Sequence, residues 1–129
     1  MSHPMAGWQD FLGHGTRTAK VAVTLKDGSP HVTPVWFLLD GDTIVFNTGV
    51  DSVKARALRR DPRVSVCVDL EEQPFAFVTV LGSAEVLPAD PEWIRRIGER
   101  YGSTGGDYDP ADNALVRVAP TKVIAVTYD

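Results

Sequence analysis

The sequence predicts a mainly β fold, a six-stranded antiparallel barrel with short flanking helices. Three observations predict it. Segments of alternating hydrophobicity recur along the chain, Gly-, Asp- and Pro-containing turns separate most of them, and helical spacing falls only at the start and in two later intervals. Strands that alternated regularly with helices would instead indicate a doubly wound parallel sheet. A length of 129 residues suits one domain over 1–129, with 1–15 as an N-terminal helix and linker.

Residues 4–12 place Trp8, Phe11 and Leu12 at i, i+3 and i+4, a short amphipathic helix ended by Gly13 and Gly15. His3 falls in a terminus expected to fray. Residues 17–26 alternate strictly, with Ala19, Val21, Val23 and Leu25 on one face. Asp27-Gly28 is a hairpin signal. Residues 31–39 form a second strand, in which Pro34 marks an edge, a bulge or a kink. Asp40-Gly41-Asp42 turns the chain into a third strand at 43–48. Residues 51–60 read as a helix capped by Asp51 or Ser52, with Val53, Ala57 and Leu58 facing inward. The fourth strand is 64–70 and the fifth 75–87, where Gly82 suggests a bulge or bend. Asp90 caps a helix with Pro91 at its first position; Trp93, Ile94, Ile97 and Tyr101 share one face of it, and Trp93 and Tyr101 are read as core or subunit interface in preference to substrate contact. The Gly-rich stretch 102–112 is a cover over a site or a plain surface loop. The last strand, 115–128, is expected to break at Pro120.

The apolar fraction of 43% and charged fraction of 23% are those of a globular chain. A net charge of -4 argues against a nucleic-acid partner, and no apolar run is long enough to span a membrane. No secretory signal is recognised and there is one cysteine, Cys67, so a cytoplasmic location is expected. Cys67 sits among valines and reads as a small buried hydrophobe. His3, His14 and His31 are scattered without metal-ligand spacing, so no metal is expected. Phosphate-loop and nucleophile-elbow motifs are absent, and Gly13-His14-Gly15 follows a helix rather than the strand a dinucleotide fingerprint requires.

The informative region is 31–63, HVTPVWFLLDGDTIVFNTGVDSVKARALRRDPR. A helix start offers free backbone N–H groups and partial positive charge. Ser52 adds a hydroxyl there, Lys54 a full charge, and Thr48 a second hydroxyl from the preceding strand. Together these suit a phosphate. Spacing alone leaves open a capped surface helix with a solvated basic face.

This stretch resembles the flavin- and deazaflavin-dependent split-barrel proteins related to pyridoxamine 5'-phosphate oxidase, the FMN-binding split barrel type. The resemblance rests on Asp27-Gly28-Ser29-Pro30, Pro34-Val35-Trp36-Phe37, Phe46-Asn47-Thr48, the run from Lys54 to Val64, and Val80-Leu81-Gly82-Ser83-Ala84-Glu85. It covers roughly residues 17 to 128 and is similar in wording to the actinobacterial branch that uses coenzyme F420. The Arg-x-His element of pyridoxamine phosphate oxidases has no counterpart in PTKVIAVTYD, which argues against that reaction.

The resemblance implies that Val32, Thr33, Pro34, Val35, Trp36 and Phe37 line a tricyclic ring, largely through backbone groups. It places Asn47 and Thr48 beside the ribityl chain and phosphate, and Ser52, Val53 and Lys54 on the phosphate. Arg56 is a second basic position. Phe77 stands where related flavin enzymes often carry a polar side chain against the ring, and Ala57 replaces a frequent Asn. Trp36 and Phe37 point to opposite faces of one strand, so at most one of them lines a given pocket. Arg59, Arg60 and Arg63 form a solvated face or meet the polyglutamate tail of F420.

The implied activity is an F420-dependent oxidoreductase, a reductase passing hydride between the deazaflavin and a small conjugated substrate. The alternatives are an FMN-dependent oxidase or reductase of the same fold, and a non-catalytic F420- or flavin-binding carrier. A homodimer with the cofactor at the subunit interface is also implied. No catalytic residue is marked by sequence; water, or an unplaced side chain such as Lys20, Arg117 or Tyr108, stands as the proton donor.

Overall fold

A computed structural model describes residues 1–103 and 108–128. In chain order the elements are β1 (Ser2–Pro4), α1 (Trp8–Gly13), β2 (Ala19–Thr24), β3 (Pro30–Val35), β4 (Phe37–Asp40), β5 (Thr43–Gly49), α2 (Val53–Arg60), β6 (Arg63–Leu70), β7 (Ala76–Pro88), α3 (Pro91–Arg100) and β8 (Asn113–Tyr128), with a short 3-10 turn at Pro110–Asp112. All strands join one 8-stranded sheet in the order β3-β2-β6-β7-β8-β5-β4, with β1 added on β8. Every pairing is antiparallel. The two ends of that order, β3 and β4, are consecutive in the chain and separated by Trp36 alone. The sheet must therefore curl until its ends meet, which makes a barrel split between β3 and β4.

Strict alternation puts Ala19, Val21 and Val23 of β2 inside, opposite Val66 and Val68 of β6 and Val78 and Val80 of β7. Phe37, Ile44, Phe46, Val116 and Val118 complete the interior. Burying each such side chain contributes about 1.5–3 kcal/mol. Leu12 of α1 and Ala57 and Leu58 of α2 join this core, whereas α3 packs outside, on β4 and β5. Among the described residues no helix is long and apolar enough to cross a membrane.

The expected six strands become eight for two reasons. Residues 2–4 pair with Val126–Tyr128 as β1, so His3 is held in a ladder rather than frayed. The run 31–39 divides at Trp36 into β3 and β4, the price of closing the barrel. Pro120 does not break β8. Leu81 pairs with Lys122 and Gly82 with Pro120, so Thr121 is an extra residue in a bulge. That extra residue lets Val116 and Val118 face inward on one side of it and Val123 and Ala125 on the other, although the two pairs have opposite parity. Gly82 is required there, because a Cβ would lie 2.4 Å from the Ala119 carbonyl oxygen.

Two smaller expectations are also corrected. Ser52 caps α2, and Val53 at its first position is 40% exposed; the inward positions are Ala55, Ala57 and Leu58. Cys67 shares the outer face of β6 with Ser65 and Asp69 and is only half-buried, because Val66 and Val68 take the inner phase.

Candidate functional site

A cleft of 360 Å³ opens where the β3–β4 junction, the end of β5, the start of α2 and the flank of α3 converge. Pro34, Val35 and Trp36 line it from the junction and Asn47 and Thr48 from β5. Lys54 enters from α2, Ile94, Ile97 and Gly98 from α3, and Ser103 and Tyr108 from beyond α3. That size lies at the lower end of small-molecule sites, about 300–1,000 Å³.

The polar end is built by the capping of α2. The Ser52 hydroxyl accepts from the Ala55 N–H at 3.1 Å and lies 2.8 Å from the Thr48 hydroxyl, which is buried. The Ser52 carbonyl accepts from Arg56 N–H, which begins the helical ladder. Val53 and Lys54 are left with N–H groups that have no helical acceptor. Lys54 is half-buried beside them, and burial pushes its ammonium below the usual lysine range, with no ion pair to it among the described residues. This end of the cleft therefore combines helix-end donors, two hydroxyls and a half-buried cation, a set that suits an anion.

Asn47 is oriented from β8. Asn113 Nδ2 donates to the Asp109 carbonyl at 2.9 Å, which turns Asn113 Oδ1 toward Asn47 Nδ2, also at 2.9 Å. The other amide atom, Asn47 Oδ1, is buried and has no partner among the described residues. It asks for a hydroxyl or N–H donor. A second orphan, Thr33 Oγ1, lies on β3 opposite the fully buried Val21.

The other end is aromatic. Trp36 is 45% exposed and stacks on Tyr101, with ring centroids 5.0 Å apart and planes 2° apart. The Tyr101 hydroxyl donates to the Arg17 carbonyl at 2.8 Å and accepts from Phe37 N–H at 3.4 Å. Burial raises its pKa above the usual tyrosine value. Arg100 ties the end of α3 to the barrel by donating to the carbonyls of Leu12, Gly15 and Phe37.

Pro34, Val35, Trp36, Asn47, Thr48 and Lys54, singled out by sequence, meet at this cleft, and Ser52 supports it from behind Thr48. Phe37 is fully buried in the barrel, so Trp36 alone of that pair lines the cleft. Val32 is 59% exposed on the β3 edge, Val53 and Arg56 project from α2, and Phe77 stacks on Tyr128 on the outer face of the sheet. Sequence reasoning missed the α3 wall, because Ile94 and Ile97 carry the same helical spacing as a core stripe. Among the basic residues of 54–63, Arg59 donates to the Val50 carbonyl and Arg63 pairs with Asp61. The stretch 102–112 was expected as a cover or a plain loop; residues 104–107 lie outside the described residues, Ser103 and Tyr108 line the cleft, and Pro110–Asp112 form the 3-10 turn. Among the described residues no cluster of three or more His, Cys, Asp or Glu is assembled.

The chain belongs to the pyridoxamine 5'-phosphate oxidase family, whose model matches residues 9–127. Its fold is similar to that of an F420 reductase, with a TM-score of 0.82 and 27% identity over 92% of this chain and 97% of that one. It is also similar to a conserved hypothetical protein from Mycobacterium tuberculosis, with a TM-score of 0.77 and 29% identity over 94% and 84%. An FAD-binding protein from Mesorhizobium loti shares the fold at 20% identity, with a TM-score of 0.80 over 100% and 99%. No curated protein matches the chain by sequence.

Proposed function

We propose that this member of the pyridoxamine 5'-phosphate oxidase family is an oxidoreductase that uses coenzyme F420 to reduce a small conjugated organic substrate. The observation that carries the reading is the anion site at the start of α2, which faces the same cleft as Trp36. The N–H groups of Val53 and Lys54, the Lys54 ammonium and the Ser52–Thr48 hydroxyl pair would hold the cofactor phosphate. Asn47 Oδ1 would accept from a ribityl hydroxyl, and Pro34 and Val35 would flank the tricyclic ring. The likeness to an F420 reductase over nearly the whole of both chains supports the deazaflavin over FMN.

When bound, the reduced deazaflavin supplies a hydride to an electron-poor double bond. The chain orients ring and acceptor and excludes water with Ile94 and Ile97. Of the three side chains raised as proton donors, Lys20 is held by Asp69 at 2.7 Å and Arg117 by Asp40 at 2.7 Å. Tyr108 lines the cleft, so we assign to its hydroxyl the proton that balances hydride addition, with replacement from water.

We also propose a homodimer through the outer face of the sheet from β3 across β2, β6 and β7 to β8. Val32, Leu81, Ile124 and Tyr128 are 59%, 37%, 37% and 40% exposed, an unusual amount of apolar surface for uncovered sheet. Phe77, remote from the cleft of its own chain, lies on this face and would approach a ring bound in the other subunit. Ile124→Lys should turn a sedimenting dimer into a monomer; a monomeric wild type overturns this part.

The test is an absorbance and fluorescence titration of the protein with F420 and, separately, FMN. Micromolar or tighter F420 binding with weaker FMN binding supports the reading. FMN preference moves the protein to the flavin branch, and binding of neither refutes it.

A further inference from the structure

We infer that Trp36 and Tyr101 form a preorganised stacking platform for the acceptor, so that this protein selects flat, conjugated substrates over puckered ones. The inference rests on the proposed cofactor position at the α2 end and concerns the opposite, aromatic end of the cleft. Trp36 belongs to neither β3 nor β4, so no ladder demands a bulky side chain at the junction. Its indole nevertheless stays 45% exposed while one face is covered by Tyr101 at 5.0 Å and 2°. The exposure therefore falls on the other face and the edges.

The pair is rigid. Tyr101 is pinned through its hydroxyl to the Arg17 carbonyl, just before β2, and to the Phe37 N–H at the start of β4. The Arg100 guanidinium sits 5.1 Å from the Tyr101 ring centroid and is itself fixed by three carbonyls. A ligand that stacks on Trp36 meets a surface already ordered, so little side-chain entropy is lost on binding. Ile94 and Ile97 extend the apolar wall beside it. A planar π-system gains offset stacking there that a puckered ring of similar polarity does not. Trp36 is thus a contact residue, and Tyr101 a positioning residue that acts through it.

The experiment compares two hydride acceptors, menadione, a flat quinone, and cyclohex-2-enone, a puckered enone. Each is used with F420-saturated wild type, Trp36→Leu, Tyr101→Leu and Tyr101→Phe, and the F420 Kd of each variant is measured first. Trp36→Leu should raise the KM for menadione about five- to tenfold, with a smaller effect on kcat. Its cyclohexenone KM should change by no more than about half that factor, and its F420 Kd by less than about threefold. Tyr101→Leu should follow Trp36→Leu, whereas Tyr101→Phe should keep the menadione KM while losing thermal stability. Equal losses for both probes overturn the selectivity. A parallel loss of F420 affinity overturns the assignment to substrate, because the platform would then carry the cofactor ring. A wild type that binds no F420 refutes the cofactor reading and this inference with it, a result separable from the others because it appears before any acceptor is added.

Discussion

Lys54→Met tests the anion site most directly, because it predicts two effects of opposite sign. Lys54 is half-buried at the second position of α2, with its ammonium disfavoured by burial and no carboxylate paired with it among the described residues. Methionine keeps an unbranched stem and removes the charge. Without ligand, the variant should be more stable at neutral pH, since the desolvated cation is gone. The sign of the pH dependence follows from the same shift. The folded pKa lies below the ordinary 10.5, so between the two the unfolded chain binds more protons and wild-type stability rises with pH. Below that window the penalty is present in full, and Lys54→Met should remove this rise. With a phosphate-bearing cofactor, the loss of a charge-assisted contact costs about 1.5–3 kcal/mol. Partial exposure of Lys54 places the effect toward the lower end, about a tenfold to thirtyfold weaker Kd. The assay is thermal denaturation of the apo protein near neutral pH and near pH 10, beside a cofactor titration at fixed salt. A variant that loses apo stability and keeps its affinity would show that Lys54 is a solvated surface residue, and the reasoning would fail.

Further predictions concern the frame around the cleft. Gly82→Ala should cost about 1–3 kcal/mol in chemical denaturation, because its Cβ would meet the Ala119 carbonyl oxygen at 2.4 Å and only backbone movement relieves it; unchanged stability would mean the bulge gives freely. Arg100→Lys should destabilise by about 2–4 kcal/mol, since one ammonium cannot reproduce the fork that reaches the carbonyls of Leu12, Gly15 and Phe37; a neutral result would remove Arg100 as the anchor of α3. Asp61, hydrogen-bonded to Arg63, should titrate at about 2 by NMR and return toward 3.8 in Arg63→Ala. Its stabilising contribution is present above 3.8 and is lost as pH falls toward about 2, so an unshifted Asp61 would mean the pair is open in solution.

The fold was legible wherever one period held for a whole element. Val21 and Val23 in β2, and Val64, Val66 and Val68 in β6, announce their strands because one face is buried and the other is not. Legibility failed where the barrel closes on itself. Nothing in the apolar run 31–39 marks Trp36 as the corner, because the corner is demanded by the meeting of sheet ends and not by a local turn preference. In β8 the phase of the apolar residues slips by one at Thr121, and next to Pro120 that slip reads as a break. β1 is three residues long and has no period to read; its place is set by the end of β8.

The candidate site divides along the same line. Its polar end is local: Ser52 and Lys54 lie within three residues at one helix start, and Thr48 lies near the end of the preceding strand, four residues before Ser52, so hydroxyl and charge spacing suffice to find it. Its aromatic end is assembled from residues far apart in sequence, Trp36 and Tyr101, by the docking of α3 on β4 and β5. On a helix wheel Tyr101 and Ile97 are simply the buried side, and only the position of the β3–β4 junction decides that this side also walls a cleft. The part of the site that can be read from sequence is therefore the part proposed to hold the cofactor phosphate. The part that needed the fold is the part proposed to choose the substrate. That division is a physical one: an anion is satisfied by one helix start and a few neighbours, whereas a flat ring needs a surface that only tertiary structure can make.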